Sequence, residues 1–267
     1  MELNIYQVDA FTDRLFGGNP AAVMPLREPL PEATMQSLAA ENNQSETAFL
    51  LPGAEPGHWH IRWFTPVTEI NLCGHATLAS AWVLFHKLGA TTDTLVFHSQ
   101  SGPLRVQREG DWIAMDFPSW MPKPAEVLPG ISEALGGVRI KEAHQYRDLL
   151  LLLEDEAAVR RCAPDFSALK KVCGKLIITA PGSGGTDFVS RFFGPGVGID
   201  EDPVTGSSHA QLIPFWSRRL GKKVLHARQL SAREGVLVCE QLSEERVLMK
   251  GQCVFYMEGR VQLPAGV

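Results

Sequence analysis

The sequence predicts an α+β protein of two similar halves, each a set of β-strands around one central helix. Three observations carry this. Arg62-Trp63-Phe64-Thr65-Pro66 recurs as Arg191-Phe192-Phe193-Gly194-Pro195. Cys73-Gly74-His75-Ala76 is answered at nearly the same offset by Thr205-Gly206-Ser207-Ser208, and the apolar stretch after each closes on Leu-Gly, at Leu88-Gly89 and Leu220-Gly221. The segments between are mostly apolar-polar alternations, not the strand–helix series of a parallel βαβ fold.

With 267 residues, one large or two ordinary domains are expected, and the duplication favours two. An apolar share of 45% and a charged share of 21% are enough to bury a core in each half. The net charge of −5 and the absence of a Lys/Arg cluster argue against a nucleic-acid partner. No run nears the roughly 18 apolar residues a membrane span needs, and Met1-Glu2-Leu3-Asn4 does not begin a secretion signal. Five scattered cysteines without a CxxC pair fit a reducing cytoplasm and give no zinc motif. The expectation is a cytoplasmic protein with no metal site.

The chain opens with an alternating strand over residues 3–11, which runs into the turn Gly17-Gly18-Asn19-Pro20 and a short strand at 21–25. Residues 31–42 read as a helix and 45–51 as a strand. Residues 58–64 alternate into the first copy of the repeat. Residues 75–88 form a helix apolar on nearly every side, hence buried. Strands follow at 94–97, 104–107 and 112–117. Pro118, Pro122 and Pro124 mark the domain junction, giving halves 1–118 and 119–251, with a strand at about 252–267 returning to the first. The second half reads as a short helix at 131–135, strands at 143–146 and 148–153, and helices at 155–162 and 165–172. Strands at 176–180 and 187–193 and the second central helix follow, then three more strands to residue 250. Pro214, inside that helix, removes the hydrogen bond to Ala210 and predicts a kink.

Each loop-to-helix junction is a candidate anion site, because the first N–H groups of a helix point outward at its positive end. The bland alternative is that Gly74 and Gly206 only relieve crowding. His75 lies in the first turn, where the dipole disfavours an imidazolium, so a neutral, hydrogen-bond-donating ring is expected; a buried cap is the alternative. Cys73 is a candidate nucleophile or proton-transfer thiol, since a helix start favours thiolate; a small buried apolar residue is the alternative. Glu46 enters an otherwise uncharged strand, where a carboxylate either binds a partner or has a raised pKa suited to general acid–base work. Asp202 stands with Asp200 and Glu201 in a loop running toward the second helix.

As a set, Asp9-Ala10-Phe11-Thr12, Phe16-Gly17-Gly18-Asn19-Pro20, Ser45-Glu46-Thr47-Ala48-Phe49, Arg62–Pro66, Cys73-Gly74-His75-Ala76-Thr77 and Glu201-Asp202-Pro203-Val204-Thr205-Gly206-Ser207 resemble the PhzF family of phenazine-biosynthesis-like proteins. The resemblance implies the diaminopimelate-epimerase-like fold, an active site in the cleft between the halves and a homodimer. It also implies a metal- and coenzyme-free isomerase that moves a proton within a small, cyclic and unsaturated carboxylic acid. Carried over, the catalytic residues fall on Glu46, His75 and Asp202, and the substrate contacts on Ser45, Gly74, Gly206 and Ser207. Glu46 has no acidic counterpart in Ile177-Ile178-Thr179, and Thr205 stands opposite Cys73. The frame is therefore symmetric while the chemistry is one-sided. A binding or regulatory protein of the same fold is the alternative reading; a Cys73-dependent racemase or hydrolase is the weaker one.

Overall fold

The computed structural model describes residues 1–264, so the end of the expected strand 252–267 lies outside the described residues. Two compact units form, Met1–Asp116 with Lys250–Val267, and Phe117–Met249. Unit 1 begins with β1 (Glu2–Ala10), β2 (Asn19–Pro25), α1 (Glu32–Asn42), β3 (Glu46–Pro52), β4 (His58–Phe64) and β5 (Glu69–Ile70). Then come α2 (Gly74–His86), β6 (Thr94–Ser99), β7 (Gly102–Glu109) and β8 (Trp112–Pro118), whose last two residues begin unit 2. β1 pairs antiparallel with β2, β2 parallel with β3, β3 antiparallel with β4, β4 parallel with β6, and β6 antiparallel with β7.

Unit 2 holds β9 (Lys123–Ala125), α3 (Ile131–Ala134), β10 (Ile140–Gln145), β11 (Leu149–Leu153), α4 (Glu156–Arg161) and α5 (Phe166–Val172). It continues with β12 (Leu176–Pro181), β13 (Phe188–Gly194), β14 (Ile199–Asp202), α6 (Gly206–Leu220), β15 (Val224–Gln229), β16 (Gly235–Gln241) and β17 (Arg246–Gly251). From β10 to β16 the pairing repeats the series: antiparallel to β11, parallel to β12, antiparallel to β13, parallel to β15, antiparallel to β16. The last strand, β18 (Cys253–Gln262), belongs to unit 1 and pairs antiparallel with β1 from Glu2↔Gln262 to Ala10↔Cys253.

The repeated Arg-x-Phe motif is a structural clamp. Arg62 on β4 holds Glu69 on β5 through Nε and Nη2, both at 2.7 Å, and its guanidinium lies 5.2 Å from the Phe64 ring. Arg191 on β13 holds Glu201 on β14 at 2.7 and 2.9 Å and lies 4.9 Å from Phe193. Both phenylalanines face their glutamate across the ladder, Phe64↔Glu69 and Phe193↔Glu201. Bidentate charge-assisted pairs of this kind fix orientation as well as adding energy. The acidic run expected in a loop is thus β14: ladder pairing and the Arg191 clamp draw it into a strand.

The core of unit 1 gathers round α2, whose first eight residues from Gly74 to Ala81 are all buried and which lies against β1, β2, β3 and β18. Its apolar surface on every side is what enclosure by strands requires. In unit 2, α6 is buried from Ser208 through Trp216. Trp216 donates Nε1–H to Thr179 Oγ1 on β12 at 3.0 Å and stacks on Phe188 of β13. α6 closes on Gly221 in the left-handed region, φ 66°, whose N–H reaches Ser217 O. α2 instead ends at His86, two residues before the expected Leu88, and Lys87 caps it in a right-handed conformation.

Pro214 does not break α6, which is continuous from Gly206 to Leu220. The carbonyl it deprives, Ala210 O, accepts from the Trp120 N–H at 2.8 Å. A second backbone takes the place of the helix's own donor, satisfying the buried acceptor.

Candidate active site

Glu46 is the first residue of β3, opposite Ala21 in the parallel ladder with β2, and His75 is the second residue of α2. Because α2 packs on β2 and β3, the helix start meets the starts of both strands. His75 Nε2 lies 2.9 Å from Glu46 Oε2, the side chains being 5% and 9% exposed. The contact is an ion pair without hydrogen-bond alignment, and no donor is aligned on Oε2. On the other edge of the ring, His75 Nδ1 is 3.1 Å from Asn19 Nδ2. Asn19 is the first residue of β2, fully buried, and follows Gly18, whose φ of +60° and approach to Ala10 O (2.1 Å from an added Cβ) admit no side chain. An Asn amide that presents Nδ2 suits a neutral imidazole, and one turned to present Oδ1 suits the cation.

Burial pushes the His75 pKa down, but the adjacent Cys73 sulfur and the Glu46 carboxylate push it up by more, leaving it well above its ordinary value. Burial and the Glu46 charge push the Cys73 thiol up to about 11. Near pH 7 that thiol is neutral, so the lasting partner of the imidazolium is Glu46. This corrects both expectations drawn from the helix dipole. A carboxylate at 2.9 Å outweighs half a helix charge for His75, and desolvation outweighs it for Cys73. Cys73 is the N-cap of α2, its Sγ 3.6 Å from His75 Nδ1. Glu46, Cys73 and His75 have donor atoms within 4.8 Å of one another. This mixed set could hold a cation once the thiol loses its proton, and a cysteine count does not reveal it. Ser45, half-buried, precedes β3, and Gly74, buried, opens α2.

In unit 2, Asp202 closes β14, and its Oδ2 accepts from Thr205 Oγ1 at 2.5 Å. Gln229 on β15 braces the loop between them: Nε2 donates to Asp202 O at 2.8 Å and Oε1 accepts from Thr205 N at 2.9 Å. Gly206 and Ser207 open α6, whose N-cap is Thr205. Ser207 Oγ accepts from Arg147 Nη2 at 2.7 Å. His209, in the first turn, donates Nδ1–H to Thr205 O at 2.9 Å, and burial pushes its pKa down to about 4. The neutral first-turn histidine expected at position 75 is therefore found at His209, which has no carboxylate beside it. The structure thus gathers Glu46, His75 and Cys73 within unit 1 and Asp202, Gly206 and Ser207 within unit 2. Asn19, Gln229 and Arg147 were not legible as site residues in the sequence, because Asn19 and Gln229 reach their partners from other strands and Arg147 from the turn between β10 and β11.

Among the described residues no helix is long and apolar enough to cross a membrane. The sequence model of the phenazine biosynthesis-like proteins matches residues 8–259. An uncharacterized isomerase of Pseudomonas aeruginosa is 49% identical over 98% of this chain and 100% of its own length. The crystal structure of a PhzF-family phenazine biosynthesis protein from Enterococcus faecalis superposes with a TM-score of 0.94, at 47% identity, over 98% of this chain and 100% of that one. A hydroxyproline epimerase from Agrobacterium vitis, 11% identical, shares the fold at a TM-score of 0.62 over 97% of this chain and 92% of that one. The fold is the diaminopimelate-epimerase-like α+β fold, and the chain belongs to the family of phenazine biosynthesis-like, PhzF proteins.

Proposed function

We propose that this protein is an isomerase that moves a proton within a small, unsaturated carboxylic acid, with Glu46 as the general acid/base. The observation that carries the reading is the buried pair at the start of α2: a carboxylate oxygen 2.9 Å from an imidazole nitrogen, with no hydrogen-bond donor aligned on it. Such an oxygen is held by charge and keeps its lone pairs for a proton. Glu46 Oε2 takes a proton from carbon next to the unsaturated acid: the C–H bond breaks, an O–H bond forms, and the electron pair spreads into the conjugated carboxylate. The neighbouring His75 imidazolium stabilises that charge in a site shielded from water. Glu46 then returns its proton to another carbon, and the double bond is left shifted.

Ser45 and Gly74 in unit 1, and Asp202, Gly206 and Ser207 in unit 2, are assigned to binding and orienting the acid. A carboxylate and an imidazolium suffice for this chemistry, so the proposal invokes neither metal nor coenzyme. The isomerase names carried by close relatives support the reaction class. A thiol-based racemase is disfavoured, because Cys73 is a neutral buried thiol and Thr205 stands at the matching helix start.

Proton transfer leaves a trace in deuterated buffer. Wild type turning over an unsaturated acid should incorporate solvent deuterium. Glu46→Gln should slow this by about a hundredfold to ten-thousandfold, the usual worth of a general acid/base. Incorporation by Glu46→Gln at the wild-type rate would remove Glu46 from the mechanism.

A further inference from the structure

The start of α6 is flanked by residues that none of the recognised motifs contains. Pro214 frees the Ala210 carbonyl, and the Trp120 N–H takes it at 2.8 Å, anchoring Trp120 beside the helix. The Trp120 indole lies nearly parallel to Tyr146, with centroids 6.1 Å apart and planes at 9°, an offset arrangement. The Arg147 guanidinium lies 5.2 Å from the indole. From there Nη2 donates to Ser207 Oγ at 2.7 Å and to Asp148 Oδ2 at 2.8 Å, and Nε donates to the same oxygen at 3.1 Å. Gln211 Oε1, one turn along α6, accepts from the Arg147 and Asp148 N–H groups at 3.0 and 3.3 Å and fixes the segment on the helix.

The plain account is that Arg147 exists to neutralise Asp148, whose side chain is fully buried. It explains one edge of the guanidinium only. None of the described residues accepts from Nη1, the Arg147 side chain is 37% exposed, and Tyr146 is 54% exposed. Ser207 Oγ, accepting from Arg147, still has its own proton to donate. Ser208 Oγ and Gln211 Nε2 are buried in the first turns of α6 without a hydrogen-bond partner among the described residues. Native proteins rarely bury polar atoms in this way without a ligand or water to meet them.

We propose that Arg147 and Ser207 form a carboxylate-binding subsite walled by Trp120 and Tyr146. Arg147 is its specificity-determining residue, favouring acids whose carboxylate sits on a flat, unsaturated frame. The Nη1 edge and the Ser207 hydroxyl bind the two carboxylate oxygens, and the offset rings receive the flat group. The inference rests on the substrate-binding role proposed for the start of α6.

Calorimetric titration of the full chain with three probes tests it: benzoate, cyclohexanecarboxylate (equal charge, puckered ring) and benzamide (flat, uncharged). Benzoate should bind at least about tenfold tighter than the other two. The double variant Arg147→Gln/Asp148→Asn, which leaves no buried charge unpaired, should weaken benzoate by at least about tenfold. Arg147→Lys, which keeps the charge beside Asp148 but loses the fork, should weaken it as well, at an unchanged melting temperature. Trp120→Leu should erase the preference for benzoate over cyclohexanecarboxylate. Glu46→Gln should bind benzoate as wild type does, which separates this subsite from the proton-transfer reading: wild-type deuterium incorporation by Glu46→Gln with intact Arg147-dependent binding sinks only the latter. Equal affinity for the three probes, or wild-type affinity in both Arg147 variants, overturns the subsite. So does a shift of the Arg147 variants from dimer to monomer with benzoate affinity intact, which would make the Trp-Tyr-Arg patch a protein interface.

Discussion

His75 and His209 occupy the first turns of the two central helices and stand in opposite states. Glu46 at 2.9 Å raises the first, whereas burial beside a backbone carbonyl lowers the second to about 4. Helix position, the one cue available in the sequence, is common to both; the deciding neighbour is not. For His209 the consequence can be read in stability against pH. Its folded pKa lies below the unfolded value of about 6.5, so between those values the unfolded chain binds the extra proton. Stability on this account is full above about pH 6.5 and falls as pH drops toward 4, by about 3 kcal/mol in all. Urea unfolding of wild type and His209→Asn, whose amide can still donate to Thr205 O, should show a shallower loss between pH 6.5 and 4 in the variant. Parallel curves would show that another group carries the dependence.

Elements with a strong pattern were legible. α2 announces itself by apolar residues on nearly every side, α6 by the repeat of the Gly-led start and the Leu-Gly close, and β12 and β3 beyond Glu46 by uncharged runs. β5 and β14 were not, because a two-residue strand and an acidic four-residue strand carry no alternation; their pairing is imposed by the Arg62 and Arg191 clamps. β9 lies in the proline-rich stretch that reads as a break. Pro214 is legible as a lost hydrogen bond but not as a gained one, since the Trp120 donor lies far away in sequence. Pro214→Ala should restore a local donor to Ala210 O and set it in competition with Trp120. The expected outcome is faster hydrogen exchange at the Trp120 amide, by about fivefold or more, matching about 1 kcal/mol for one backbone hydrogen bond. An unchanged Trp120 rate would mean that the proline has no part in holding that segment.

At the scale of the whole molecule, the duplicated series of strand pairings was legible only as a repeated motif; the register and the parallel steps come from the ladders. Unit 1 is discontinuous in the chain, and β18 covers the edge of β1 that β2 leaves open. Deleting residues 253–267 should strip protection from β1 and β2 while leaving β12, β13 and α6 protected, as followed by hydrogen exchange with mass spectrometry. Equal loss in both units would show that they unfold together. The same pairing gives the protein a schedule during its synthesis. Once made, β1 waits for β18, on the order of ten seconds or more at ordinary elongation rates. All of unit 2 is made within that interval. Until β18 is made, the nascent chain carries an open edge on β1, and residues 253–262 close it.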